Sequence, residues 1–157
     1  MFIGLMTSTG VTMAISEHPE TRPAMDADYF NRLGANLFPG FVGVEFLSVT
    51  PKQVICRLNV RKHHLAVNGM LHGATIVTLA DNACGCGTIA LLPEGSKGHA
   101  TIELKCNFLS SVREGFIRCE AIPLHLGRST HVWDARVFHE ETGRILAFFR
   151  CTQMILW

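Results

Sequence analysis

One segment, His72 to about Ala90, constrains the fold more than any other. Its apolar residues Ile76, Val77, Leu79, Ala80, Ala83, Ile89 and Ala90 fall on nearly every side of a helix. A helix of that kind sits inside a protein, so other elements must wrap it. It is entered through Asn68-Gly69-Met70-Leu71-His72-Gly73-Ala74 and carries one carboxylate, Asp81. A lone acid in an apolar helix is costly to bury and needs a reason to be there. The helix N-terminus offers a complement, because its first amides lack intrahelical partners and its dipole end is positive. An amide that holds a carbonyl oxygen, with a carboxylate that attacks or activates water, suggests acyl-transfer chemistry.

The rest of the chain supplies strands. Asp26 to about Leu37 reads as a short helix, with Phe30, Leu33 and Leu37 on one face and Pro39-Gly40 as its stop. Val42–Val49 is strand-like, and Gln53–Val60 alternates as a half-buried strand. Arg61-Lys62-His63-His64 reads as a short basic loop. After the long helix, Ile102, Leu104, Cys106 and Phe108 alternate strictly with Thr101, Glu103, Lys105 and Asn107. Further strands follow at about Gly115–Leu124, Thr130–Glu140 and Arg144–Ile155, turned by His125-Leu126-Gly127-Arg128 and Glu141-Thr142-Gly143. Sequential strands joined by turns are mostly antiparallel. The fold class is therefore α+β, one long helix covered by a curved, mostly antiparallel sheet of about five to six strands. The 157 residues fit a single domain over 25–157, preceded by a flexible tail over 1–24 in which Met13, or Met25 just after it, could also initiate.

Composition removes several classes of function. A net charge of +1 gives no global field favouring nucleic acid or an anionic membrane. No run reaches the roughly 18 apolar residues of a spanning helix. Six cysteines include no C-x-x-C, and the thiols of Cys84-Gly85-Cys86 point about 200° apart on a helix. They read as buried core thiols of a cytoplasmic protein. Eight histidines lack metal-ligand spacing, so neither metal nor cofactor is expected. An apolar content of 48% hints that copies of the chain cover one another.

The spacing within the helix asks for the same thing. The nine residues from His72 to Asp81 rise about 13.5 Å and turn about 900°, half a turn net. Asp81 and the Gly73 amide of one chain, eight residues apart, therefore lie about a dozen ångströms from each other along the helix. They can serve one carbonyl only if Gly73 comes from one chain and Asp81 from another, as a two-fold dimer provides twice.

The element order, with His72-Gly73-Ala74 and Leu79-Ala80-Asp81 in place, resembles the hotdog-fold acyl-CoA thioesterases over about residues 26–155. It is most similar to the phenylacetate-pathway branch and its human relatives. Thr101-Ile102-Glu103-Leu104 with Asn107-Phe108-Leu109, and Gly143 before a hydrophobic last strand, resemble the same family. The resemblance implies hydrolysis of an acyl- or aryl-CoA thioester by a homodimer or, as a dimer of dimers, a homotetramer, with no cofactor beyond the coenzyme A of the substrate. It implies Asp81 as nucleophile or base, the Gly73 amide as carbonyl donor, His72 as a positioning group and Thr101 as a holder of water. Many members carry Asn six residues before the His; here that position is Ala66, and Asn68 is the nearest replacement. Ala74 stands where many members have a second glycine. Met70 is a candidate pocket liner, and Arg128 and the Arg61–His64 run are candidates for the coenzyme A phosphates. Two rival readings are a non-catalytic acyl-CoA-binding module and a hotdog hydratase or dehydratase. The D-x-N-x-x-H pattern of one such branch is not seen, and Asp81 argues against a pure binder.

Overall fold

The structure, a computed structural model, describes residues 24–157. Apart from Ala24, the tail assigned to residues 1–24 lies outside the described residues. Helix α1 (Ala27–Gly34) starts where the Asp26 carboxylate accepts from the Tyr29 N–H at 2.9 Å. It is shorter than the pattern of Phe30, Leu33 and Leu37 suggests. Pro39 and Gly40 do not stop it but lie inside a second short helix, α2 (Phe38–Val42). Proline is tolerated in a first turn because the N–H it lacks would have no partner there. Gly43 closes α2 at φ 85°, a conformation that glycine adopts without strain.

Strands β1 (Val44–Val49) and β2 (Val54–Asn59) follow, then a 3-10 turn at Lys62–His64 and the long helix α3 (Gly73–Ala90). The chain ends with β3 (Gly98–Phe108), β4 (Phe116–Leu126), β5 (Thr130–His139) and β6 (Ile145–Leu156). These form one sheet of order β1-β2-β4-β5-β6-β3, antiparallel throughout. β4 continues through His125 and Leu126, which the sequence suggested as turn. The last four strands are not all neighbours in chain order: β3 pairs with β6, at the far edge from β1. The connection after β3 passes the start of α3, where the Leu71 N–H donates to the Val112 carbonyl at 2.8 Å.

α3 lies against the inner face of this sheet. Ile76, Leu79, Ala80, Ala83, Cys84, Gly87 and Thr88 are buried along one stripe, facing buried Cys56, Leu58, Cys119, Trp133 and Val137. Each large aliphatic side chain fully buried here contributes about 1.5–3 kcal/mol. The opposite stripe, Val77, Thr78, Asp81, Asn82, Gly85 and Cys86, is only half-buried. The expectation of a helix enclosed on every side is therefore not met among the described residues, and the stripe they leave open is the one that bears Asp81.

β3 also departs from strict alternation. Thr101 pairs with Gln153 and Glu103 with Thr152, so Ile102 is the extra residue of a β-bulge. Beyond the bulge Leu104, Cys106 and Phe108 pair with Cys151, Phe149 and Ala147. The bulge thus puts Thr101 on the inner face together with Leu104, Cys106 and Phe108.

The two sheet edges are treated differently. At β1, the Asn31 side chain of α1 acts as a mock strand: Nδ2 donates to the Phe46 carbonyl at 2.9 Å, and Oδ1 accepts from the Phe46 N–H at 2.8 Å. Among the described residues β3 has no such cover, and Ile102 (55% exposed), Leu104 (43%) and Phe108 (54%) lie open along it. Among the described residues no helix is long and apolar enough to cross a membrane.

Candidate active site

Two clusters form along α3. At its N-terminus, His72 caps the helix, its Nδ1 accepting from the Ala74 N–H at 3.0 Å. The His72 N–H donates to the His64 carbonyl at 2.9 Å, and the Thr75 hydroxyl donates to the same carbonyl at 3.3 Å. His64 is buried and ties the 3-10 turn to the helix; burial pushes its pKa down, with His63 adding to the effect. The basic run is therefore not a free loop, because its fourth residue is an inward structural anchor. His72 has claimed the Ala74 amide, whereas the Gly73 N–H donates to nothing among the described residues. A Cβ on Gly73 would meet the Phe108 ring at 3.0 Å, so this amide sits beneath an exposed aromatic at one end of β3.

The second cluster lies at the other end of β3. The Thr101 hydroxyl is 3.2 Å from Asp81 Oδ1 and 2.9 Å from Gln153 Oε1. Asp81 takes no partner from Asn82, whose Nδ2 donates instead to the Thr78 carbonyl at 2.8 Å. His99, also on the inner face of β3, approaches Gly85 one turn along α3: a Cβ there would lie 3.4 Å from its Nε2. Burial lowers the His99 pKa, and the charge of Asp81 opposes that shift. Cys86 is pushed up to about 12 by burial and then by Asp81, so its thiol is no nucleophile near neutral pH.

The structure thus brings Asp81 and Thr101 together, and separately His72, Gly73 and Ala74. It keeps the two groups apart, with Phe108 marking one and Thr101 the other. Asn68 Oδ1 accepts from the Met70 N–H at 3.0 Å, the bond of a turn residue. Met70 is half-buried, and its sulfur receives the Arg113 Nε–H at 3.3 Å. Arg128 sits in the β4–β5 turn with its guanidinium 4.7 Å over the Trp157 ring. Gln153 and His99 did not stand out in the sequence. For Gln153 the signal was present: it is a polar residue in the inward series Phe149, Cys151, Gln153, Ile155.

A groove of about 600 Å³ crosses the outer sheet face, lined by Lys105, Asn107, Arg136, Phe148 and Arg150 among others. It opens away from α3 and contains neither cluster. Two of its arginines are already engaged, Arg136 with Glu120 and Arg150 with Asp134, each with a contact of 2.7 Å. No group of His, Cys, Asp and Glu side chains among the described residues is arranged to hold a metal ion.

A long helix laid against one face of a six-stranded antiparallel sheet defines a hotdog protein. The chain belongs to the thioesterase superfamily, whose family model matches residues 68–146. It is similar to the 1,4-dihydroxy-2-naphthoyl-CoA hydrolase of Listeria monocytogenes, at 31% identity over 71% of this chain and 89% of that protein. The hydrolase of the same name from Escherichia coli is also 31% identical, over 80% of this chain and 91% of that protein. Among solved structures, a mutant thioesterase from Pseudomonas aeruginosa superposes with a TM-score of 0.79 at 25% identity, covering 88% of this chain and 96% of that one. The chain is accordingly a thioester hydrolase.

Proposed function

We propose that this protein hydrolyses an acyl- or aryl-CoA thioester at a site completed by a second copy of the chain, with the phenylacetate-pathway enzymes as its likeness in mechanism. The observation that carries this is the Asp81–Thr101 contact at 3.2 Å on the open stripe of α3. The contact supports a reading in which the attacking water stands beside this pair and bonds to both the carboxylate and the hydroxyl. The carbonyl oxygen would rest on the Gly73 N–H of the other protomer, at a helix start suited to developing negative charge. Asp81 then either attacks the carbonyl carbon, expelling the coenzyme A thiolate and leaving an anhydride that water hydrolyses, or takes a proton from the water that attacks the carbonyl carbon as the thiolate leaves. Supporting the shared site are the distance between the clusters within one chain and the uncovered β3 edge, which a second β3 could continue. His72 fixes the cap that leaves the Gly73 amide free. The relatives named as CoA-thioester hydrolases support the substrate class.

The test is release of free thiol from a panel of aliphatic and aryl acyl-CoAs by wild type and Asp81→Asn. Turnover by wild type with loss in the variant is expected. No turnover of any substrate, or full activity in Asp81→Asn, would overturn the reading.

A further inference from the structure

Gln153 is wholly buried, on the inner face of β6, and is the cross-strand partner of both Thr101 on β3 and His131 on β5. Burying a primary amide completely is unfavourable unless its polar atoms are bonded. Its Oε1 faces the Thr101 hydroxyl at 2.9 Å and its Nε2 faces Cys151 Sγ at 3.4 Å. The Thr101 oxygen also lies 3.2 Å from Asp81 Oδ1.

The count of protons decides what this row does. A threonine hydroxyl has one hydrogen to donate. When Asp81 is ionised, both the carboxylate and Gln153 Oε1 ask for that hydrogen, and one close contact is left without a proton. Turning the amide by half a turn resolves the conflict. Gln153 Nε2–H then donates to Thr101 Oγ1, the Thr101 O–H donates to Asp81 Oδ1, and the Cys151 S–H can donate to Gln153 Oε1. When Asp81 is protonated, the first orientation serves: the Asp81 O–H donates to Thr101, and Thr101 donates to Gln153 Oε1. A carboxamide, with a donor at one end and an acceptor at the other, satisfies the row in both states.

We propose that Gln153 is a positioning residue for hydrolysis: its buried amide sets the direction of the Thr101 hydroxyl, so that the hydroxyl donates to Asp81 when the acid is ionised and accepts from it when the acid holds a proton. The role rests on the reading of Asp81 as the working carboxylate. As the base of the reaction Asp81 gains a proton from water and later releases it, and the amide keeps the Thr101 contact bonded before and after. Gln153, wholly buried, acts through Thr101.

Two measurements test this. In the first, Gln153→Met keeps the bulk of the side chain and removes both polar ends. Its kcat is expected to fall about tenfold with KM within about twofold, the scale of one lost oriented hydrogen bond. Added to Thr101→Val, Gln153→Met should cost nothing further, because its only route to Asp81 is already cut. Multiplying losses, or a Gln153→Met enzyme with wild-type kcat, would overturn the proposal. The second follows the Gln153 side-chain amide by 15N NMR across the titration of Asp81, in wild type and in exposed Thr101→Val. The amide resonance should move with the Asp81 midpoint in wild type and lose that movement in Thr101→Val. His131, His99, Cys84 and Cys151 also face this region, so Asp81→Asn serves as the control that removes only the expected midpoint. An amide indifferent to Asp81 refutes the relay. This arm needs no turnover, so absence of thiol release by wild type counts against the thioesterase reading alone.

Discussion

Gly87→Ala should destabilise the protein although alanine is the better helix former. Gly87 lies in the buried stripe of α3, and a Cβ added there would sit 2.5 Å from Trp133 Cη2, 2.8 Å from Cζ2 and 3.0 Å from Cζ3. Two carbons prefer about 3.5–4.0 Å, so the ring must retreat by about 1 Å. Trp133 is fully buried, and its Nε1–H donates to the Thr88 hydroxyl at 2.9 Å. A retreat of that size breaks the bond and leaves a buried donor unpaired, at about 1–3 kcal/mol. Overpacking adds about 1–3 kcal/mol more. Helix propensity returns only about 1 kcal/mol. The net loss is about 3 kcal/mol, or roughly 10 °C in Tm for a domain of this size. Gly85→Ala is the internal control, since its Cβ meets only His99 Nε2 at 3.4 Å, an ordinary contact. It should be neutral or slightly stabilising. Thermal and urea unfolding of the two variants decide the matter. A Gly87→Ala protein as stable as wild type would refute the claim that Trp133 of β5 is pinned against α3.

Asp81→Asn should reduce kcat by about 10²–10⁴, the range for a lost general base, with Tm little changed; thiol release and calorimetry read the two separately. Ile102→Lys places a charge on the exposed β3 edge; light scattering should show dissociation to monomers, with thiol release lost alongside, and a fully active monomer would sink the shared site. Stability should also fall with acidity. His64, His99 and His131 are each held below the ordinary imidazole value of 6.5 in the fold, in every case first by burial. The unfolded chain therefore binds more protons as pH drops, so the stabilisation present above 6.5 is lost as pH falls from 6.5 through the lower folded values. Urea midpoints measured from pH 7.5 to 5 should fall, and His131→Gln should flatten that slope.

Much of this fold was legible because its elements bury one face against another. The alternation of Val54, Cys56, Leu58 and Val60 and the apolar run after Gly73 follow directly from that demand. Sheet order was less legible. Tight turns join β4 to β5 and β5 to β6, but whether β3 joins the same meander depends on which edge must cover the far side of α3. The Thr101 environment was hidden by a single residue. Continued regularly from Leu104, the strand would turn Ile102 toward Asp81 and Thr101 outward. The bulge exchanges them, replacing an aliphatic chain with a hydroxyl beside the acid. Periodicity alone cannot reveal a bulge, because the extra residue changes which series faces inward without changing composition. Nor could the sequence place Phe108 over Gly73, a contact between residues far apart in the chain.

The two edges of the sheet bear on the proposed division of the site between two chains. An open strand edge invites pairing with another chain, and at β1 one asparagine suffices to block it. At β3 eleven residues stand with no equivalent cover among the described residues, and Ile102, Leu104 and Phe108 along them are exposed. The same strand touches both clusters: Phe108 roofs the Gly73 amide, and Thr101 meets Asp81. Because helix rise keeps that amide and that acid about a dozen ångströms apart, one chain cannot supply both to a single carbonyl. An antiparallel partner along β3 would set the Phe108 end of one chain near the Thr101 end of the other. It would cover the open stripe of α3 in the same step. Edge protection, burial of the stripe and assembly of the site are then satisfied by one interface, which is why breaking it at Ile102 should cost association and catalysis together.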